Sequence, residues 1–127
     1  MNKKMWIMVF IASFALLYIL FGFWIAKDTE MILDKAMAAD RNEHEYMDPS
    51  VFNRINPITS GAATAEFSYD SSKHNVGIVV PLHFFFIAKV FVTHEYDQND
   101  FGFKEPLTMD LKLKNGHWYA ANVKIEP

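Results

Sequence analysis

The chain has 127 residues and a formal net charge of −3 at pH 7. It contains no cysteine, which excludes disulfides, thiolate metal sites, a cysteine nucleophile and a lipid-modified cysteine. Its charged residues form mixed or acidic runs, whereas a nucleic-acid-binding protein needs a positive face, so we predict no nucleic-acid partner. This length allows one small domain beside an apolar N-terminal segment.

The first predicted element is an apolar helix over residues 5–26, a stretch without a charged side chain. At about 1.5 Å per residue it would measure roughly 33 Å, which is enough to cross the hydrocarbon layer of a bilayer. This apolar stretch is longer than the core of a cleaved signal peptide, so we expect a retained single-pass anchor. Trp6 and Trp24 lie near its two ends, where indole rings favour the membrane interface.

The orientation of this anchor is predicted from the residues on its two sides. Lys3 and Lys4 make residues 1–4 a basic stub, which the positive-inside bias places in the cytoplasm. Residues 27–127 are then expected outside the cytoplasm of a cell membrane. Of the 12 basic residues ten remain in this part, against 15 acidic ones. We therefore expect the domain to stand off anionic lipid apart from its tether.

Two helices are predicted after the anchor. Apolar residues recur at helical spacing over residues 27–40, and since neither Gly nor Pro intervenes, this amphipathic helix can continue directly from the anchor. Asp48 followed by Pro49 is typical of a helix N-terminus and predicts a short helix over residues 49–55. The Asn56-Pro57 pair is expected to end it.

Beyond Gly61 the pattern becomes extended. Residues 64–69 alternate, and residues 76–96 are rich in Val, Ile and Phe, which predicts strands and a long central one, bent or broken near Pro81. On such a strand Phe85, Ile87 and Phe91 share one side. If that side is exposed, we identify them as a candidate interface with a protein or a contact with lipid; the alternative is that both sides are internal core.

The last hairpin, over residues 107–125, is predicted from its two apolar rows. A two-residue turn at Asn115-Gly116 would place these rows on opposite faces. A three-residue loop over residues 114–116, with Gly116 in the left-handed conformation, pairs Leu111 with Tyr119 and makes the rows coincide. We therefore predict the longer, bulged loop.

These elements predict an α+β domain in which one or two helices pack on a curved antiparallel sheet of three to five strands. The element order, and the ending at residues 114–119 followed by Val123 and Ile125, resemble small membrane-anchored domains of the cystatin-like or nuclear-transport-factor-like superfold. Members of that superfold wrap a sheet around a helix. The resemblance implies an extracytoplasmic interaction module or accessory component.

Three side chains are candidates for a pocket. His94 and Tyr96 lie on the side of the strand opposite to Glu95, and with Trp118 they would serve a small enzyme or ligand-binding domain. The alternative is a strand-end histidine satisfied by water or backbone. Trp118 is expected on the outer face of the hairpin, near Lys112. The histidine spacing supports no metal site, and no motif indicates a cofactor or a reaction.

The leading functional prediction is a non-enzymatic binding or accessory module, anchored in a membrane and acting through a protein partner. It depends on the anchor, the very short inner stub and the aromatic strand. One alternative is the small pocket enzyme or ligand-binding domain. Another is a protective protein against an externally acting toxin, which small size and placement alone suggest.

Overall fold

The computed structural model describes residues 2–64, 67–98 and 101–125. Helices precede strands, as expected for the predicted α+β class. Short 3₁₀ helices lie at Glu43–Glu45 and Ser71–Lys73. The main elements are α1 (Lys3–Ala38), α2 (Pro49–Ile55), β1 (His74–Val76), β2 (Val80–His83), β3 (Ile87–Gln98), β4 (Phe101–Lys114) and β5 (His117–Ile125).

Helix α1 is continuous over 36 residues, or about 54 Å. It begins where the Asn2 side chain accepts a hydrogen bond from the Met5 N–H, and it ends before Ala39, which is left-handed. By length and composition it can cross a membrane, and the most apolar 18 residues of the helix are not buried by the rest of the protein. The predicted continuity between the apolar helix and the amphipathic helix that follows it is therefore confirmed.

The C-terminal part of α1 supplies the helical side of the core. Four of its buried apolar residues recur at the predicted spacings of three and four, and Ile25, inside the predicted membrane span, is buried with them: the four are Ile32, Leu33, Ala36 and Met37. Helix α2 has the predicted bounds because Asp48 Oδ1 accepts the Ser50 N–H at 3.0 Å and Pro49 occupies the first turn. Both helices thus form where local sequence favours them.

A buried amide joins the ends of the two helices. Asn56 Nδ2 donates to the Ala36 carbonyl at 2.8 Å, while Asn56 Oδ1 accepts the N–H groups of Ile58 and Thr59. The side chain is 3% exposed and its hydrogen bonds are made inside the protein, as a buried polar group requires. Asn56 therefore ends α2 and holds it against α1.

Five antiparallel strands form one sheet within the described residues, in the order β1-β3-β4-β5, with β2 also paired to β3. β1 pairs with residues 94–96 of β3 and β2 with residues 88–91, so the two short strands follow one another along the same edge. The long strand predicted with a bend or break near Pro81 is therefore interrupted twice, at residues 77–79 and by a turn at residues 84–86, on either side of the short strand that contains Pro81.

The predicted strand over residues 64–69 is not formed in its described part. Residue 64 and residues 67–69 belong to no strand, and residues 65 and 66 lie outside the described residues. Phe67 and Tyr69 nevertheless pack against the core. Alternation here indicates packing without a ladder partner, because β1 and β2 already occupy that edge of β3.

The turn of the β4–β5 hairpin has two residues, not three. Asn115 (φ 54°) and Gly116 (φ 83°) are both left-handed, and Leu113 pairs directly with Trp118. Two positive φ angles are typical of the type I′ turn, which matches strand twist. The predicted loop was wrong, although Gly116 has the predicted conformation.

A two-residue turn alone would place the two apolar rows on opposite faces, and a bulge inside the hairpin brings them to the same face. Leu111 pairs with Ala120 and the preceding Asp110 pairs with Asn122, so Ala121 is the extra residue. One extra residue exchanges the two faces of a strand. The apolar rows therefore coincide beyond the bulge, even with a two-residue turn.

This register turns Trp118 inward. Its side chain is completely buried, whereas the neighbouring Tyr119 lies under the Lys112 ammonium at 5.4 Å and the Lys114 ammonium at 4.5 Å. The predicted position of Trp118 on the outer face beside Lys112 was wrong because the wrong loop length inverted the faces near the turn. Tyr119 makes the contact expected of Trp118.

Gly116→Ala is expected to lower the free energy of unfolding by about 1 kcal/mol, because a Cβ at a left-handed position is strained. No atom lies within 4 Å of the new Cβ, so the cost is in the backbone. Denaturant titration of the full chain in non-ionic detergent measures it. Asn115→Gly is the control and should not destabilise; equal stabilities of wild type and Gly116→Ala would contradict the turn.

Candidate functional site

The turn at residues 84–86 lies on α1. Phe85 has a left-handed backbone (φ 63°), which is unfavourable for an aromatic residue. Its ring makes edge contacts with Phe14 at 5.5 Å and Phe21 at 5.4 Å. Phe85 therefore does not share a surface with Ile87 and Phe91, because the turn separates it from β3 and points it at the helix.

His83 fixes the end of β2 to the same helix. Its ring stacks on Tyr18 at 3.8 Å between centroids. The His83 N–H donates to the Tyr18 hydroxyl at 3.3 Å, and His83 Nε2 lies 2.9 Å from the Tyr18 carbonyl oxygen. These contacts and those of Phe85 involve helix residues inside the predicted membrane span of residues 5–26.

The opposite side of this hairpin exposes apolar side chains. We call them the outer patch; exposed fractions include 81% for Phe84 and 69% for Phe86. Exposed apolar clusters of this kind mark contact with protein or lipid. The members are Ile78, Val80, Leu82, Phe84, Phe86, Ile87 and Phe91.

A charged pair divides the outer patch. Lys89 Nζ lies 4.0 Å from Asp110 Oδ1 across β3 and β4. We call the part beyond this pair, at the turn, the tip half: Leu82, Phe84, Phe86 and Ile87. The distal half comprises Ile78, Val80 and Phe91. Of the predicted interface residues, Ile87 thus falls in the tip half and Phe91 in the distal half.

The distal half forms a shallow groove. Val80 and Phe91 are directly paired between β2 and β3. The groove has a volume of about 410 Å³ and is lined by Ile78, Val80, Phe91, Val92, Thr93, Pro106, Leu107 and Thr108. It can accept apolar side chains from outside the domain.

A second feature is a polar network, which we call the buried polar chain because it leads to the fully buried His94; its other members are partly exposed: Asp34, Tyr69, His74 and Glu105. The Tyr69 hydroxyl donates to Asp34 and lies 2.9 Å from His74 Nδ1. Because the Tyr69 O–H is already donated to Asp34, the Tyr69 oxygen must accept a hydrogen bond from His74 Nδ1–H. We assign the tautomer of His74 from this network. Its Nε2 is then an acceptor.

The buried polar chain continues from His74 to the sheet. His74 Nε2 lies 3.0 Å from His94 Nδ1, which must therefore be the donor. His94 Nε2 lies 3.6 Å from Glu105 Oε2. It is fully buried and has no hydrogen-bond partner among the described residues. Each hydrogen bond of the buried polar chain therefore has one defined donor, and the chain ends at His94 Nε2, which has no hydrogen-bond partner among the described residues.

Burial shifts the pKa values of two members of the buried polar chain. It raises the pKa of Tyr69 far above its usual range, with a further contribution from the hydrogen bond to Asp34. Burial also lowers the pKa of His74 from 6.5 to about 4, with the neighbouring His94 adding to the effect and Asp34 opposing it. At neutral pH His74 is therefore uncharged.

The structure separates the three predicted pocket residues. His94 and Tyr96 share the core face of β3, as expected, but they are 0% and 1% exposed. Trp118 packs on Trp24 with ring centroids 5.8 Å apart. His94 lies within the strand and is held by His74, so the expectation of a strand-end histidine satisfied by water or backbone is wrong.

The other members of the buried polar chain were not identified from the sequence. His74 pairs with Tyr96 between β1 and β3, which places it diagonally beside His94. No local pattern reveals this contact, since the two histidines are separated by 20 residues. This contact can be predicted only when the register between β1 and β3 is known.

The two predicted interface tryptophans have different surroundings. Trp6 is 62% exposed near the start of α1. Trp24 is half-buried and contacts Phe21 and Trp118. Trp6 has the exposure expected of a membrane-belt residue, while Trp24 lies where the domain begins to cover the helix. Their location at membrane interfaces stays a prediction.

Within residues 2–64, 67–98 and 101–125, no group of three or more histidine or acidic side chains is placed to hold a metal ion. No family model, curated protein or solved structure matches this chain. The resemblance to the cystatin-like or nuclear-transport-factor-like superfold stays a prediction. Two features of the structure bear on its function: the outer patch and the buried polar chain.

Proposed function

We propose that the protein is a non-enzymatic binding or accessory module, anchored in a membrane by α1, that acts through contact with another membrane protein. The observation that carries this proposal is the distal half of the outer patch. There Val80 and Phe91 lie side by side and are 50% and 41% exposed, next to Ile78 at 87%. Three exposed apolar side chains around one groove favour a protein contact.

The position of the titratable side chains supports binding over catalysis. His94 and Tyr96 are covered by the domain, and a substrate would have to open the core to reach them. A catalytic group must lie within hydrogen-bond reach of the reacting atom. The filled core and the outward Phe91 therefore favour an interface over the alternative of a pocket enzyme.

The groove also suggests the chemistry of the partner. Its walls are mainly apolar, and Lys89, two residues before Phe91 on β3, is paired with Asp110. Such a groove favours apolar side chains over a charged segment. Because its β2 wall belongs to the hairpin that packs on α1, the groove is held close to the anchor. We propose a partner segment that lies just outside the same membrane.

The proposed orientation places the domain outside the cytoplasm. It is supported by Lys3 and Lys4, which precede the apolar stretch, whereas residues 27–30, directly after it, carry one lysine and two acidic residues. The partner surface would then be an extracytoplasmic one.

Site-specific photo-crosslinking in cells tests the proposal. A benzophenone amino acid at position 91, and separately at position 80, is expected to yield an adduct with the same membrane protein. Position 85 is the matched control, because Phe85 is also aromatic but is turned towards α1. It should give no adduct with another chain.

A further substitution distinguishes specific binding from chance capture. Phe91→Glu should abolish the adduct formed from position 80, because the charge would be buried in the contact. Ser50→Glu, at an exposed site on α2, should leave it unchanged. Absence of an adduct at both 80 and 91 would overturn the proposal, and so would an adduct containing two copies of this chain.

A further inference from the structure

We infer that the tip half of the outer patch lies in the hydrocarbon layer of the membrane beside α1, so that its ligand is lipid acyl chain. The turn of the β2–β3 hairpin is then a second membrane-inserted element. This inference requires α1 to lie in a membrane. It does not depend on the protein contact proposed above.

The length of α1 is the first argument. The turn reaches as far along the helix as Phe14. Residues 3–13, which precede this contact, cover about 16 Å, or roughly half of a hydrocarbon layer about 30 Å thick. A helix that crosses the whole layer must therefore use residues that carry the hairpin. The hairpin enters the layer with them.

The surface of the turn is the second argument. Phe84, Phe86 and Ile87 are 81%, 69% and 61% exposed, and Leu82 is 57% exposed. They continue the exposed apolar surface of α1, where Phe10 is 71% exposed. Apolar surface of this extent is unfavourable in water and favourable in lipid. The two surfaces together form one lipid-facing region.

The N–H groups of the turn meet one requirement of a lipid environment. Groups inside the hydrocarbon layer must find hydrogen-bond partners within the protein, since water is absent. The N–H groups of residues 83–86 all do so. Their acceptors are the Tyr18 hydroxyl for His83, the Ile87 carbonyl for Phe84, His83 Nδ1 for Phe85 and the Phe84 carbonyl for Phe86.

Charged residues mark where the hairpin would leave the layer. Lys89 follows the tip half on β3, and Lys112 pairs with Ile87. Long lysine side chains can bury their stems and place the ammonium among headgroups. Both line a groove of about 560 Å³ with apolar walls that include Tyr18 and Leu82. Contrary to the expectation from net charge, the domain would touch lipid beyond its tether.

Depth-dependent fluorescence quenching of the full chain in phosphatidylcholine vesicles tests the inference. The native chain has no cysteine, so single variants Phe84→Cys and Phe86→Cys can carry an environment-sensitive label. Phe10→Cys on α1 is the reference within the membrane, and Ser50→Cys on α2 is the reference in water. Lipids with a nitroxide on the acyl chain are the quenchers.

We expect labels at 84 and 86 to shift their emission to the blue and to lose fluorescence with nitroxide lipid, as the label at 10 does. The label at 50 should do neither. Quenching at 10 without quenching at 84 and 86 would overturn the inference while leaving the anchor intact. A blue shift at 84 and 86 without quenching would also overturn it, because protein would then cover the tip half.

Discussion

Trp118→Ala is expected to lower the free energy of unfolding by about 3 kcal/mol, within the usual range of about 3–5 kcal/mol for a buried aromatic residue. Trp118 is completely buried between β5 and α1, and it packs on Trp24 at 5.8 Å. The lower end is expected because Trp118 Nε1 has no hydrogen-bond partner among the described residues, so truncation also removes an unsatisfied donor. Urea titration followed by circular dichroism measures the change in the full chain in non-ionic detergent.

Two substitutions make this experiment specific. Trp6→Ala removes an indole of the same size from an exposed position on α1 and should not change the unfolding energy of the domain. Trp118→Phe keeps most of the packing and removes the unsatisfied N–H, so it should be much milder than alanine. A Trp118→Ala protein as stable as wild type would show that the β5–α1 contact is not part of the folded core.

Acidification is expected to destabilise the domain through His74. Its pKa is about 4 in the folded state and 6.5 in the unfolded state, so the unfolded chain binds more protons between these values and stability falls as pH falls. From about pH 7.5 to about pH 4.5 we expect a loss of about 2 kcal/mol, reduced from the full shift because His74 is only partly buried. Denaturant titrations across this range measure it.

Three groups interact with His74, and two histidine variants test its role in this pH dependence. Tyr69, which lies in no strand, and His94 on β3 contact its two ring nitrogens, and the nearby carboxylate of Asp34 on α1 acts on it electrostatically. His74→Gln should lower stability at neutral pH but flatten its pH dependence, because the amide does not titrate. His44→Gln, at an exposed histidine, should keep the wild-type slope. An unchanged slope in His74→Gln would contradict the assignment.

The pH range also separates His74 from the acidic helix caps. Hydrogen bonds from Ser50 and Ser72 lower the pKa values of Asp48 and Asp70 below 3.8. Their contribution to stability is present above that value and is lost as pH falls through the folded pKa. Measurements that stop near pH 4.5 therefore report mainly on the histidine.

The predicted elements differ in how much they depend on distant contacts. Helix α1 and helix α2 follow from local chemistry: an uninterrupted apolar run, then helical spacing, and a cap at Asp48 followed by Pro49. The long strand predicted with a bend or break near Pro81 is divided into three strands, because strong β propensity at residues 76–96 does not show where the chain reverses. The turn at residues 84–86 is stabilised by α1, through Phe14 and Phe21, far away in sequence.

In the β4–β5 hairpin, the position of a single extra residue cannot be predicted from the hairpin sequence. The apolar rows of its two strands fit either a three-residue loop or a two-residue turn with a bulge. The bulge at Ala121 lies beside the bridge between Met47 and Ala120, where the Asp48 N–H donates to the Ala120 carbonyl. That contact comes from the segment before α2 and is absent from the hairpin sequence.

The sequence by itself determined a continuous helix long and apolar enough to cross a membrane, a second short helix, and an α+β order with Gly116 at a turn. These depend on length, periodicity and capping, which act over a few residues. The tertiary structure alone decided that Phe85 faces α1 while Phe91 faces outward, that Trp118 is internal, and that His74 meets His94. Each depends on which strands pair and in what register, because a shift of one residue exchanges the two faces of a strand.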